Sequence, residues 1–348
     1  MRLFFQCSLA LSIAALSSSC KTRTFSEDGN VKAVNANTEL SSVPEIQKAT
    51  VALVGYSQDA ARQNGEVRAY RVFCTGTLVN RRTVVTAGHC LAFSFFGSRP
   101  NKIFVLFDGK LENDESKRME QIKNKLMEIS MRDGVSIHPQ AITPSSLGSI
   151  ATGFMTKARV DAQEKNLGRK LNSDEAIALH RDLKIFDYDV AVVRLPKPAP
   201  DTYSPIAVAT TTDTFGEDGL SAGYGLAYWF LPGFRMQALW EQIAASGHQI
   251  AGELRVTSGK RAEVLESKTL FVKHNVYNGT MSTMAPGDSG GPFFQKNSSG
   301  EFRLVGVLSG PCDLWNNHEE QHIPPLPCTR YQYLPASEDF IRKTQTGN

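Results

Sequence analysis

Ser289 stands in the segment Gly287-Asp288-Ser289-Gly290-Gly291-Pro292, between glycines and directly after an acid. Glycine adopts dihedrals that side chains forbid and lets other groups approach the backbone closely. Such a segment is suited to expose one hydroxyl beside bare N–H groups. A serine hydroxyl is a poor nucleophile at neutral pH. It needs a base within hydrogen-bond reach and a third group to orient that base. Histidine suits the base role because its pKa lies near working pH, and Thr86-Ala87-Gly88-His89-Cys90 offers His89. The segment Asp187 to Leu195 offers two acids, Asp187 and Asp189, ahead of the apolar run Val190-Ala191-Val192-Val193. A buried aspartate there would fix the ring's tautomer and stabilise its cation. The N–H groups of Gly287 and Ser289 bracket the hydroxyl and would bind a developing oxyanion. A lone histidine beside a cysteine is commonly structural, and a lone aspartate before a strand is commonly a turn acid. The order His, Asp, Ser with these flanks is what carries the acyl-transfer reading.

The elements that must position these residues read mostly as short strands. Thr50 to Val54, Val67 to Thr77, Thr83 to Thr86 and Lys102 to Phe107 are β-branched or aromatic runs between turn residues. A second set comprises Ser204 to Ala209, Leu220 to Tyr224, Glu253 to Val256, Leu270 to Asn275, Pro292 to Gln295 and Leu304 to Leu308. Many short strands joined by Gly-rich turns predict a barrel or sandwich. Glu112 to Met131 breaks the rhythm, with Met119, Ile122, Leu126 and Ile129 at helical spacing. Ser173-Asp174-Glu175 opens a capped helix over Ala176 to Leu183, and Trp240 to Ala245 reads as a further short helix. Ser337 to Lys343 reads as a terminal helix.

In these motifs the chain resembles the chymotrypsin-like (trypsin-fold) serine peptidases. Thr86 to Cys90 is similar to that family's Thr-Ala-Ala-His-Cys, with Gly88 for alanine. Asp189 to Leu195 is similar to its Asp-Ile-Ala-Leu-Leu-Arg-Leu, and Gly287 to Pro292 matches its nucleophile segment without a change. Cys74-Thr75-Gly76-Thr77-Leu78-Val79 and Ala222-Gly223-Tyr224-Gly225 resemble two further family segments. The resemblance implies an all-β fold of two six-stranded antiparallel β-barrels with inserted helices and a C-terminal helix, the site lying between the barrels. It implies His89 as base, Asp189 as orienter in preference to Asp187, and Ser289 as nucleophile. It implies peptide-bond hydrolysis of polypeptide substrates without a metal or organic cofactor. The peptidase domain is placed at about 45–345. Its first barrel is about 45–203 with a helical insertion at about 110–183, its second barrel about 204–335, and its C-terminal helix about 337–343.

Several positions depart from the family. Its activation cleavage frees an Ile-Val-Gly-Gly start whose amine pairs with the acid before the nucleophile, here Asp288. Ser41-Ser42-Val43-Pro44-Glu45-Ile46 is no such start, so Asp288 requires either another donor or an atypical cleavage. The specificity pocket's base aligns with Thr283, beside Met284, and its wall with Ser309-Gly310-Pro311. A neutral pocket predicts no preference for Arg or Lys before the scissile bond. Pro311 lacks an N–H, which removes one bond to a substrate backbone. His318-Glu319-Glu320-Gln321-His322 fits the His-Glu-x-x-His zinc pattern. Its flanks, Asn316-Asn317 and Ile323-Pro324-Pro325, oppose a long helix, and it reads as a polar surface loop. A zinc peptidase and a non-catalytic binding module on the same fold are the rival functions.

Met1-Arg2, the apolar run Leu3 to Leu16 and Ser17-Ser18-Ser19-Cys20 form an export signal over 1–20. Cys20 after small residues resembles a bacterial lipoprotein cleavage site, which would anchor the chain to a membrane through a lipid. Ordinary cleavage nearby is the alternative. Residues 21–44 are polar and read as a linker. Export to a bacterial periplasm, cell envelope or the exterior permits disulfides. Of the four remaining cysteines, sequence proximity favours Cys74–Cys90 and Cys312–Cys328, and the family resemblance also implies the first pair. Each closes a loop of roughly 15 residues, a contribution of about 3 kcal/mol in the chain-entropy view. The net charge of +3, with lysines and arginines scattered, speaks against a nucleic-acid surface.

Overall fold

The computed structural model describes residues 43–58, 61–62, 65–92, 101–107, 112, 114–141, 165–169, 188–225, 254–265, 268–274, 276–277, 280–281, 287–311 and 328–346. Thr50-Val51-Ala52-Leu53-Val54 presents no polar side to water, and these five residues are buried on both faces of strand β1 (Thr50–Tyr56). Strand β2 (Tyr70–Asn80) pairs antiparallel with β1, with Thr50 opposite Thr77. Strand β3 (Thr83–Thr86) spans the residues expected of it and pairs with β2. Strand β4 (Lys102–Leu106) covers the other edge of β1.

The segment expected to be helical from Glu112 to Met131 is only half a helix. Helix α3 (Glu115–Lys125) follows helices α1 (Val43–Ala49) and α2 (Gly88–Ala92) in the chain. The Asp114 carboxylate caps it by accepting from the Lys117 N–H. At Leu126 the chain turns extended and forms strand β5 (Leu126–Ile129), paired with β4. There Met127 and Ile129 point inward and Glu128 outward. Period-two burial against a neighbouring strand overrides the helical spacing. After a turn, strand β6 (Val135–Ile137) pairs with strand β7 (Ala191–Arg194), and β7 with β3. The sheet therefore runs β5-β4-β1-β2-β3-β7-β6. Its two edge strands are consecutive in the chain. The Gly134 N–H donates to the Ser130 carbonyl, and the Gly134 carbonyl accepts from Arg194. One barrel strand is thus broken by a tight turn, and seven strands stand where six are expected.

The second sheet closes completely. Strands β8 (Asp218–Gly223), β9 (Arg255–Leu265), β10 (Thr269–His274), β13 (Pro292–Lys296), β14 (Phe302–Pro311) and β15 (Cys328–Tyr333) form a barrel in the order β10-β15-β14-β13-β8-β9. A separate hairpin pairs β11 (Val276–Tyr277) with β12 (Thr280–Met281). The strand expected over Ser204 to Ala209 reduces to one bridge, Val208 with Leu304. Helix α4 (Glu338–Thr346) ends the chain and buries Ile341. Helix α1 takes in Val43 and Pro44, the last two residues of the expected linker, and buries Ile46 and Ala49 completely. Ile46 joins a core cluster with Val54, Val85, Val190, Tyr224 and Leu304, which draws on both sheets.

Candidate active site

His89 follows β3 by three residues and sits in the first turn of α2. Its ring Nδ1 lies 2.6 Å from Asp189 Oδ2, and its backbone N–H donates to Asp189 Oδ1 at 2.7 Å. Both carboxylate oxygens are therefore bound to one residue. Asp189 is 5% exposed and His89 9%. Burial pushes the Asp189 carboxyl up. The His89 charge, the two bonds from His89 and the nearby Ser309 hydroxyl together outweigh it and hold the carboxyl below its usual range. The Ser309 Oγ stops short of a well-directed hydrogen bond to that carboxylate. An ionised carboxylate only accepts. Nδ1 must then carry a proton in either state of the ring, and Nε2 is the nitrogen left to exchange one.

Asp189 is fixed from behind as well. Its N–H donates to Gln332 Oε1 at 3.2 Å. The preceding residue, Tyr188, holds φ of 59°, unusual for a side-chain-bearing residue. His138 stacks on the Tyr188 ring at 4.5 Å, and Lys268 Nζ stands 5.0 Å from the ring centroid. These contacts hold a backbone conformation that the chain alone disfavours. His138, Tyr188 and Gln332 are positioning residues that no local sequence signal picks out, because they act from three separate segments.

The Ser289 segment is clamped to the His89 side of the fold. The Ser289 carbonyl accepts from the Thr75 N–H at 2.8 Å, and the Gly287 carbonyl from Thr75 Oγ1 at 3.0 Å. Gly290, with φ of +76°, lies where a Cβ would stand 2.0 Å from Thr86 Oγ1 and 2.9 Å from the Ala87 nitrogen. The residue after Ser289 thus touches the residues just before His89, an approach that only glycine permits. Ser289 itself is partly exposed while Gly287, Asp288 and Gly290 are buried. Among the described residues the N–H groups of Gly287 and Ser289 have no acceptor.

Cys74 and Cys90 are disulfide-bonded, tying β2 to α2 one residue beyond His89. Their sulfurs and a His89 ring nitrogen lie within 4.8 Å of one another. A disulfide offers no thiolate, so this cluster is no metal site. Ser309, Gly310 and Pro311 end β14. Pairing of β14 with β13 stops at Pro292–Val307, while β15 continues along the other edge to Pro311–Thr329. That leaves one edge of Ser309 to Pro311 without a strand partner among the described residues. Thr283, Met284, Asp187, Cys312, His318, Glu319, His322, Cys20 and the predicted helices at Ala176–Leu183 and Trp240–Ala245 lie outside the described residues.

A closed antiparallel barrel beside a half-barrel sheet, with a buried His89–Asp189 pair and a glycine-flanked serine segment packed against the residues just before His89, defines a chymotrypsin-like architecture. The family profile described as Trypsin matches residues 48–124 and 152–332. The chain belongs to the trypsin family of serine peptidases. A solved structure of neuropsin, a serine protease expressed in the limbic system of mouse brain, is similar at 17% identity. The match covers 87% of this chain and 96% of that one, with a TM-score of 0.46. No curated protein matches the chain in sequence.

Proposed function

We propose that the protein is an exported serine endopeptidase acting through His89, Asp189 and Ser289. The observation that carries this reading is the buried His89–Asp189 pair, bound at 2.6 and 2.7 Å. It sits on the segment against which the Ser289 loop is clamped through Thr75 and Gly290. His89 Nε2 takes the Ser289 proton as the hydroxyl attacks the substrate carbonyl, and Asp189 stabilises the resulting imidazolium. The N–H groups of Gly287 and Ser289 bind the oxyanion. Collapse expels the amine, which receives the proton from His89. Water then attacks the acyl-enzyme by the reverse use of the same groups. The unpartnered edge at Ser309 to Pro311 receives the substrate as an added strand, with Pro311 contributing its carbonyl alone. Thr283 and Met284, which the family resemblance aligns with the base of the specificity pocket, are neutral in sequence, and this supports a small or apolar residue before the cleaved bond rather than Arg or Lys. The export-signal pattern read over residues 1–20, with or without a lipid on Cys20, supports a location in the cell envelope or outside it.

The test is reaction of the mature protein with a serine-directed fluorophosphonate and a peptide library. Wild type should be labelled at Ser289 and cleave library members, and Ser289→Ala should do neither. Failure of wild-type Ser289 to label in folded protein defeats the reading.

A further inference from the structure

The carboxylate of Asp288 is a buried charge directly beside the serine, 5% exposed at its side chain. A buried carboxylate requires compensation by donors or a cation. The Gly225 N–H donates to its Oδ1 at 2.6 Å. Arg255 Nη2, from the first residue of β9, stands 3.8 Å from the same oxygen and donates to the Gly225 carbonyl. Arg255 therefore holds Gly225 by its carbonyl, while the Gly225 N–H, on the preceding peptide group, and the guanidinium charge both face Asp288. The space is cut to fit the carboxylate. A Cβ on Gly223 would lie 2.1 Å from Asp288 Oδ1, and one on Gly225 2.7 Å from it.

The segment upstream of β1 is meanwhile committed elsewhere. Ile46 and Ala49 are fully buried, the Ile46 carbonyl accepts from Thr50 Oγ1 at 2.8 Å, and the Lys48 carbonyl accepts from Ser204 at 3.1 Å. A chain cut within α1 would have to unpack this helix before a new amine could reach Asp288.

We infer that Arg255 is a built-in counter-ion that positions Asp288, and with it the Gly287–Ser289 N–H groups, so that the peptidase is competent without cleavage ahead of β1. The inference rests on the catalytic role proposed for Ser289. The Asp288 backbone lies between the two oxyanion donors, so a carboxylate that swings away takes both with it. Arg255 touches no reacting atom. Its charge acts through Asp288, 33 positions later in the chain.

The chain bearing the residues upstream of Val43 is treated with a biotinylated fluorophosphonate, and the intact mass of each labelled species is read. Labelled species should begin before Val43. Label confined to species that begin within residues 43–50 overturns the inference but leaves the peptidase reading intact. No label on either species removes the peptidase reading and the inference with it. In the uncleaved chain, Arg255→Gln keeps a donor for the Gly225 carbonyl and loses the charge. It should slow labelling by roughly 10²-fold, the penalty for a catalytic group displaced by about 1 Å. Arg255→Lys should recover at least a tenth of the wild-type rate. A purely structural Arg255 would show equal thermal midpoints and equal labelling for the Lys and Gln variants. Wild-type labelling by Arg255→Gln also overturns the proposal.

Discussion

Replacing Gly290 by alanine should be among the most damaging one-methyl changes in this protein. Gly290 has φ of +76°, and its Cβ would meet Thr86 Oγ1 at 2.0 Å, the Thr75 carbonyl oxygen at 2.4 Å and the Ala87 nitrogen at 2.9 Å. The left-handed backbone alone costs a side-chain-bearing residue about 1 kcal/mol or somewhat more. Forcing a methyl into a closed site adds about 1–3 kcal/mol. Displacing Thr86 threatens its 2.7 Å bond to the Thr75 carbonyl, worth about 1 kcal/mol. The expected total is ~3–5 kcal/mol by urea unfolding with the disulfide oxidised. Gly300 supplies the control, since its φ is +82° and nothing lies within 4 Å of its Cβ. Gly300→Ala should then cost only the backbone part, ~1 kcal/mol. The difference between the two isolates the contact. Thr86→Ala in the Gly290→Ala background removes the nearest obstacle but leaves the two backbone atoms, so it should restore stability only in part. Labelling of Ser289 in Gly290→Ala should fall by roughly 10²-fold, because the shift separates the serine segment from His89. If Gly290→Ala costs no more than Gly300→Ala, the close approach of the two segments is not what holds the site.

Further outcomes follow from the same geometry. The Asp189 carboxyl, which burial pushes up but His89 pulls below its ordinary range, binds its proton more weakly folded than unfolded. Its contribution to stability is complete above the unfolded carboxylate value of about 4 and is lost as pH falls through the lower folded value. Asp189→Asn should flatten the stability profile in that acid window, measured by urea midpoints against pH. Its labelling at neutral pH should fall by about 10⁴-fold through the wrong histidine tautomer. Removing the Cys74–Cys90 bridge by Cys74→Ala with Cys90→Ala should cost ~3 kcal/mol in the urea midpoint, and a loss below ~1 kcal/mol would show that packing already fixes α2 to β2.

How much was legible in advance differs from element to element. Strand β3 was readable because Thr83 to Thr86 is an unbroken β-branched run, and the disulfide because its cysteines stand 16 positions apart. The pairing of His89 with Asp189 and the close packing at Gly290 were legible because an apolar run and glycine flanks are local statements of burial and backbone demand. The helix predicted through Met131 ended at Lys125 instead. Its apolar residues fit two periods, and only the presence of β4 selects the extended one for Leu126 to Ile129. Ser204 to Ala209 looks like a strand but finds a single bridging partner. Helix α1 went unread because a seven-residue segment has little intrinsic helicity and is held by Ile46 and Ala49 entering a core the sequence does not display.

By itself the sequence marked the segments that pack together, since those of Ser289, His89 and Asp189 each carry their own flanking signature. Only the tertiary structure decided what holds them. Gln332, Tyr188 and His138 fix Asp189, Thr75 and Thr86 receive the serine segment, and Arg255 faces Asp288. The physical reason is that a charge or donor is matched through space within a few ångströms, whatever its separation along the chain. No local pattern records that match until the two barrels have brought their strands together.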